Sequence, residues 1–172
     1  MKRKSIRLTA TSYALLAVLD QLGEATPYDI KQAMEKSIEN FWPVPHTTAY
    51  EEPARLAAAG YLSVRQEESG RRRKAYSLTD EGRTALAEWA ADPAVSPPQL
   101  RDEAVLKVFA GADPGPLREA REAWHREKLV ELQGYLDEVG GEEDWQRSQR
   151  VLTVGIGYHR KMLELLEEAR GG

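Results

Sequence analysis

The stretch His46-Thr47-Thr48-Ala49-Tyr50-Glu51-Glu52-Pro53-Ala54-Arg55-Leu56-Ala57-Ala58-Ala59-Gly60-Tyr61-Leu62 decides the fold, because it favours helix up to a glycine and then changes its period. Thr47 or Thr48 can cap that helix, with Glu51 three residues past Thr48 as a capping-box partner. Pro53 sits inside it, where the missing N–H deletes the bond to the Ala49 carbonyl and costs up to ~3 kcal/mol if unrelieved. A kink or a short first turn is expected there. From Leu62 to Glu68 apolar and polar residues alternate loosely, as in a short half-exposed strand. Ser69-Gly70 supplies turn chemistry, Arg71-Arg72-Arg73-Lys74 follows, and Ala75-Tyr76-Ser77-Leu78 reads as the returning strand. A helix followed by a two-stranded hairpin whose tip carries four adjacent cations is the layout of a winged helix-turn-helix. In that layout the helix enters the major groove of DNA while the hairpin neutralises phosphates beside it.

Working upstream, residues 1–8 form a basic arm with Lys2, Arg3, Lys4 and Arg7. Thr9 or Thr11 can cap a first helix whose apolar positions Leu15, Leu16, Leu19 and Leu22 recur at helical spacing up to Gly23. Thr26-Pro27-Tyr28-Asp29 is a compact helix start, with a hydroxyl at the cap, proline in the first turn and a carboxylate near the positive end of the helix. Phe41-Trp42-Pro43-Val44-Pro45 then breaks helicity twice and positions the decisive helix. Downstream, Thr79-Asp80-Glu81 opens a fourth helix that carries Leu86 and Trp89 on its inner face and ends near Asp92-Pro93.

These residues also carry a resemblance. Tyr50, Leu56, Gly60-Tyr61-Leu62, Gly70-Arg71, Arg73, Tyr76-Ser77-Leu78-Thr79 and Glu81-Gly82 resemble the N-terminal domain of the PadR family of transcriptional regulators. Thr11-Ser12-Tyr13-Ala14-Leu15-Leu16, Tyr28-Asp29-Ile30-Lys31 and Phe41-Trp42 are similar to the same family. The match is close over about the first half of the chain and looser beyond. Pro53 stands where the family commonly has leucine, and Pro27 where it has glycine. The resemblance implies a homodimeric repressor that reads a palindromic operator. It also implies a small planar or phenolic effector between the winged domain and the dimer helices, for which Trp89 and Trp124 are the candidates.

The 172 residues, 41% hydrophobic, suffice for one good core or two small ones sharing an interface. A formal charge of -4 by itself opposes a nucleic-acid partner, but it is unevenly placed: residues 1–80 carry +2 and residues 81–172 carry -6. Screening limits each charge to about 8 Å at physiological salt, so the local cluster decides phosphate attraction. The absence of cysteine removes disulfides and thiolate chemistry and fits a reducing cytoplasm. The apolar run from Ala14 to Leu19 is short and stops at Asp20, so neither a signal peptide nor a membrane span is expected.

Pro93-Ala94-Val95-Ser96-Pro97-Pro98 reads as a linker, giving a winged helix-turn-helix domain over 1–92 and a helical dimerisation and effector domain over 99–172. In the latter a short helix from Asp102 to Ala110 is followed by a turn at 111–116, a helix from Leu117 to Val139, a break at Gly140-Gly141 and a last helix from about Glu142 to Ala169. Leu129, Leu132, Leu136 and Val139 form a seam spaced 3, 4, 3. The last helix has two apolar stripes, one through Val151, Val154, Tyr158, Met162, Leu165 and Ala169, the other through Leu152, Ile156, Leu163 and Leu166. One stripe suffices for an antiparallel neighbour within the chain, and a second calls for another surface, most simply a second copy. The alternative is an intrachain hairpin packed on the winged domain.

The histidines His46, His125 and His159 lie far apart in the chain and suggest no metal ligand pair. No nucleophile elbow, phosphate loop or dinucleotide fingerprint occurs, so neither an enzyme nor a cofactor is expected. The expected fold is mainly α with a small β-hairpin. The groove-facing candidates are Thr47, Thr48, Tyr50, Glu51 and Arg55, and the phosphate or minor-groove candidates are Arg71, Arg72, Arg73 and Lys74. The competing reading is a winged-helix interaction scaffold without specific DNA binding.

Overall fold

A computed structural model describes residues 6–66, 73–139 and 146–169. The chain divides into two compact units, residues 1–94 and 95–172. In the first, α1 (Ala10–Leu22), α2 (Pro27–Ser37), α3 (Thr48–Ala59) and α4 (Asp80–Ala91) surround a small antiparallel sheet of β1 (Glu24–Ala25), β2 (Leu62–Gln66) and β3 (Lys74–Leu78), in the order β1-β3-β2. The expected hairpin is therefore two strands of a three-stranded sheet. Ala25 faces Tyr76 across one edge, and Leu62 faces Leu78 across the other. Two residues are too short a run for β1 to show periodicity in the sequence.

Local chemistry explains most of the boundaries. Thr9 and Ser12 form a reciprocal capping box on α1, as Thr26 and Asp29 do on α2. Thr79 caps α4 by accepting the Gly82 N–H, and its hydroxyl also donates to the Gly60 carbonyl at 2.7 Å. Gly60, at φ 92°, ends α3 with the paired bonds of a Schellman motif: its N–H reaches the Ala57 carbonyl and that of Tyr61 reaches Leu56.

The start of α3 differs from expectation. Thr47 already has helical backbone angles and makes no side-chain cap bond, so the Thr48–Glu51 capping box does not form. A backbone turn takes its place, in which the Thr48 N–H donates to the Pro45 carbonyl at 2.9 Å. The helix also continues through Pro53 to Ala59, so the first turn is not shortened. The proline ring is fully buried, which offsets the backbone bond that it removes.

The core of this unit is a set of apolar residues from every element: Leu15, Leu16 and Leu19 of α1, Ile30 and Met34 of α2, Leu56 of α3, Leu62, Tyr76 and Leu78 of the sheet, and Leu86 of α4. The inner faces read from helical spacing are those that pack, except that Trp89, expected beside Leu86 on the inner face of α4, is 45% exposed and lies outside this cluster.

The second unit holds α5 (Glu103–Phe109), α6 (Pro114–Val139) and α7 (Gln146–Glu168). α6 begins three residues before the expected Leu117. Proline is compatible with a first helical turn, where the N–H has no intrahelical partner, so Pro114 and Pro116 start the helix instead of delaying it. Leu132 of α6 packs on Leu152 and Ile156 of α7, with Leu129, Tyr135 and Leu136 partly buried around them. The break at Gly140-Gly141 and the side chain of Val139 lie outside the described residues. The two stripes of α7 part company: Leu152 and Ile156 are buried, whereas Val154 is 73% exposed and Tyr158 and Leu165 are also exposed. No helix among the described residues is long and apolar enough to cross a membrane.

Candidate nucleic-acid interface

Helix α3 buries Ala49, Pro53 and Leu56, which turns Thr47, Tyr50 and Glu51 outward while Thr48 is half-buried. The Tyr50 ring stacks on that of His46, with centroids 5.7 Å apart. Tyr50 also lines an open cleft of about 640 Å³, shared with Tyr28 and Asp29 at the start of α2, with Arg73 just before β3 and with Lys74 and Tyr76 on it. The fold thus brings one groove-facing candidate of α3 together with two of the four cations read from the hairpin. Arg71 and Arg72 lie outside the described residues.

Arg65, on β2 opposite Ala75, is not available in the same way. Its guanidinium forks onto the Glu24 carboxylate, with Nε 3.0 and 3.1 Å from the two oxygens, and so ties the outer strands β1 and β2 across β3. That hydrogen bonding outweighs a smaller desolvation effect and holds the Glu24 carboxyl below the usual carboxylate range.

Arg55 behaves likewise. Its Nε donates to Glu52 Oε2 at 2.7 Å, and its Nη2 donates both to Glu52 Oε1 at 2.5 Å and to Ser12 Oγ at 3.0 Å. The guanidinium is therefore held between α3 and α1. Burial pushes the Glu52 carboxyl up, but hydrogen bonds from Arg55 and Ser12 outweigh it and leave the group below its ordinary range. The bond to Glu52 correspondingly raises Arg55, against a smaller desolvation effect.

The two tryptophans occupy different units. Trp89 stacks face to face on Tyr13 at 4.7 Å with the planes 4° apart, joining α4 to α1. Trp124 lies edge-on to His125 at 4.8 Å and His159 at 5.3 Å, with the Arg121 guanidinium carbon 5.8 Å above its own ring. The two histidines, which their distance in the chain had set apart, are both buried, and their Nδ1 atoms meet at 2.7 Å. Such a bond needs one ring to present N–H and the other a lone pair, so the doubly charged pair is excluded. His159 is pushed down to about 4, first by burial and then by His125 and Lys128, against Glu131. His125 is lowered by burial and Arg121, against Asp102.

Beside this pair the second unit contains a mainly apolar cavity of about 330 Å³, lined by Val105, Val108, Leu117, Met162 and Leu166 together with Arg118, Arg121 and His125. Arg121 is paired with Asp102; Arg118 Nε lies 3.9 Å from Glu122 Oε1 as an ion pair but makes no hydrogen bond among the described residues. Trp124 does not line this cavity. The signal for it was present in the sequence, since Arg118, Arg121 and His125 recur at 3 and 4 residues on one helix face.

Sequence comparison matches residues 15–88 to the transcriptional regulator PadR-like family. The negative transcriptional regulator PadR of Bacillus subtilis (strain 168) is 31% identical over 99 residues, which cover 56% of this chain and 54% of that relative, so the match spans about half of the relative's length. Among solved structures, Bacillus subtilis PadR in complex with operator DNA superimposes with a TM-score of 0.79 and 25% identity, covering 94% of this chain and 97% of that one. The PadR-like transcriptional regulator BC1756 from Bacillus cereus gives a TM-score of 0.74 at 21% identity, covering 91% and 94% respectively, which is a likeness of fold. With the family pattern over residues 15–88 and a shared fold over nearly its whole length, the chain is similar to the PadR-like transcriptional regulators.

Proposed function

We propose that the chain is a homodimeric, sequence-specific DNA-binding repressor whose first unit reads DNA. The observation that carries this is the shared cleft lined by Tyr50 of α3 and by Arg73 and Lys74 of the hairpin, a polar helix face and a cationic edge on one surface. The operator-bound relative supports the DNA reading, and the name of the sequence relative, a negative regulator, supports repression. Residues 1–92 carry the reading head, 93–98 the linker and 99–172 the dimer helices. Thr47, Thr48, Tyr50 and Glu51 face the groove, and Arg71, Arg72, Arg73 and Lys74 face phosphate or the minor groove. The exposed stripe of Val154, Tyr158 and Leu165 on α7 is the surface that a second copy covers. A two-fold dimer places two recognition helices on a palindrome with half-sites about one DNA turn apart.

For effector control, the cavity of the second unit takes a small aromatic molecule among its apolar side chains, with a polar group that accepts a hydrogen bond from Arg118 Nε. Trp124, edge-on to His125 on the cavity wall, is an optical reporter of that event. Trp89 stacks in the other unit and is no part of this site.

The test is a salt titration of duplex binding by the parent, Arg73→Ala and Lys74→Ala. Each lost phosphate contact lowers the slope of log K against log salt by roughly one. Variants that match the parent in slope and affinity remove the hairpin from the mechanism. A parent that fails to bind random duplex at low salt leaves the interaction scaffold as the better reading, consistent with the net charge of -4.

A further inference from the structure

Ser12 of α1 is fully buried, and its hydroxyl is a junction. It donates its one proton to Glu52 Oε1 at 2.7 Å and accepts from the Thr9 N–H at 3.0 Å and from Arg55 Nη2 at 3.0 Å. One donor and two lone pairs are thereby engaged. Glu52 in turn accepts both Arg55 Nε and Nη2, the two-pronged geometry in which a guanidinium and a carboxylate fix each other's orientation. Arg55 Nη1 also points to the Arg7 carbonyl, at 3.5 Å. The cluster therefore locks the N-terminal turn of α1 to the middle of α3, one residue beyond Glu51 and two beyond Tyr50.

The same geometry argues against Arg55 as a phosphate contact. Its charge is already matched by Glu52, which remains ionised, so the pair as a unit is neutral and releases few counterions from DNA. We propose that Ser12, Glu52 and Arg55 form a positioning clamp that fixes the pose of α3 on α1 and so sets the preference for operator over other DNA, without themselves touching it. Arg55 is then a positioning residue and not a reader of bases. The inference rests on the reading of α3 as the DNA-contacting helix.

The full-length chain first selects a preferred duplex from a random pool. Fluorescence anisotropy then compares that duplex with a scrambled one of equal length and composition, across a salt series, for the parent, Arg55→Lys and Ser12→Ala, with a thermal melt of each. Lysine keeps the charge but cannot reproduce the fork. Arg55→Lys is expected to lower the ratio of selected to scrambled affinity on the order of tenfold, a loss comparable to one mismatched base pair. Scrambled-duplex affinity and the salt slope stay at parent values, which general unfolding could not produce. Ser12→Ala keeps the ion pair but removes its tie to α1, and it shifts the ratio in the same direction; it decides the matter if Arg55→Lys does not fold. A salt slope lower by roughly one in Arg55→Lys overturns the proposal in favour of a direct phosphate contact. So does an unchanged ratio in folded variants. A parent that binds neither duplex sinks the underlying DNA reading instead, and the two failures are told apart by the parent alone.

Discussion

Acidification from pH 7.5 to 5.0 should weaken the second unit through the buried His125–His159 pair. His159 resists protonation until about 4 in the fold and titrates near its ordinary 6.5 when the chain unfolds. The unfolded chain therefore takes up a proton that the folded chain refuses, so the stability present above 6.5 is lost progressively as pH falls towards 4. A single site with these two values loses roughly 2 kcal/mol between pH 7.5 and 5.0. His125 is lowered in the same sense and adds to the loss. Asp102 does not blur the reading: burial pushes its carboxyl up, but hydrogen bonds from Arg121 and two backbone N–H groups together outweigh this and hold it below the usual range, ionised throughout the interval. Urea unfolding followed by helical circular dichroism, at one protein concentration, measures the effect. With a slope of about 1 kcal/mol per molar urea for a unit of this size, the midpoint should fall by roughly 1–2 M. The control is His159→Gln, which keeps a polar side chain but has no proton to refuse. Should that variant lose as much stability as the parent over the same interval, the buried pair is not the cause.

Two further substitutions test the packing of each unit. A Cβ placed on Gly82 would lie 2.2 Å from the Tyr61 carbonyl oxygen, a backbone atom held by the Thr79 N–H, so Gly82→Ala should cost roughly 1–3 kcal/mol and lower the melting temperature of the winged unit; an unchanged melt would show that α4 has room to shift. In the second unit, Leu152→Ala removes a fully buried side chain from the contact of α6 with α7 and should cost roughly 2–5 kcal/mol in chemical denaturation. Val154→Asp, on the exposed stripe, should leave the intrachain contact intact but give monomers in analytical ultracentrifugation; persistent dimers would place the interface elsewhere.

The first unit was legible because its information is local. Capping residues, the glycine after α3, the prolines of 43–45 and the alternation in the strands each act over a few positions, and they agree with one another. What escaped was non-local. β1 has two residues and exists only because β3 lies beside it, and the tie of the Arg55–Glu52 fork to α1 depends on Ser12, 43 positions from Arg55. The histidine pair escaped for a related reason, although it had a signal. In an antiparallel hairpin, partners lie at equal distances from the turn. Both His125 with His159 and Leu132 with Leu152 are symmetric about position 142, next to the expected break at Gly140-Gly141. Sequence distance alone argued against a pair that the fold's symmetry favours.

Pro53 shows how an apparent local defect can be put to use. Inside a helix, proline deletes one backbone bond and fixes φ. In place, its ring is buried beside Ala49 and Leu56 on the inner face, and the opposite face keeps Tyr50 and Glu51 free. The rigid backbone at Pro53, the fork from Glu52 to Arg55 and the left-handed glycine at 60 then restrict the same twelve-residue helix at its middle and its end. A reading element that is ordered before it meets its partner loses less conformational entropy on binding, and more of its contact energy is left to separate one site from another. The start of α3 is the exception, since Thr47 makes no side-chain cap bond and only a backbone turn holds the helix there. Freedom is thus left at the exposed end of the helix, where the hydroxyl of Thr47 can adapt, and is removed where the helix must keep its pose.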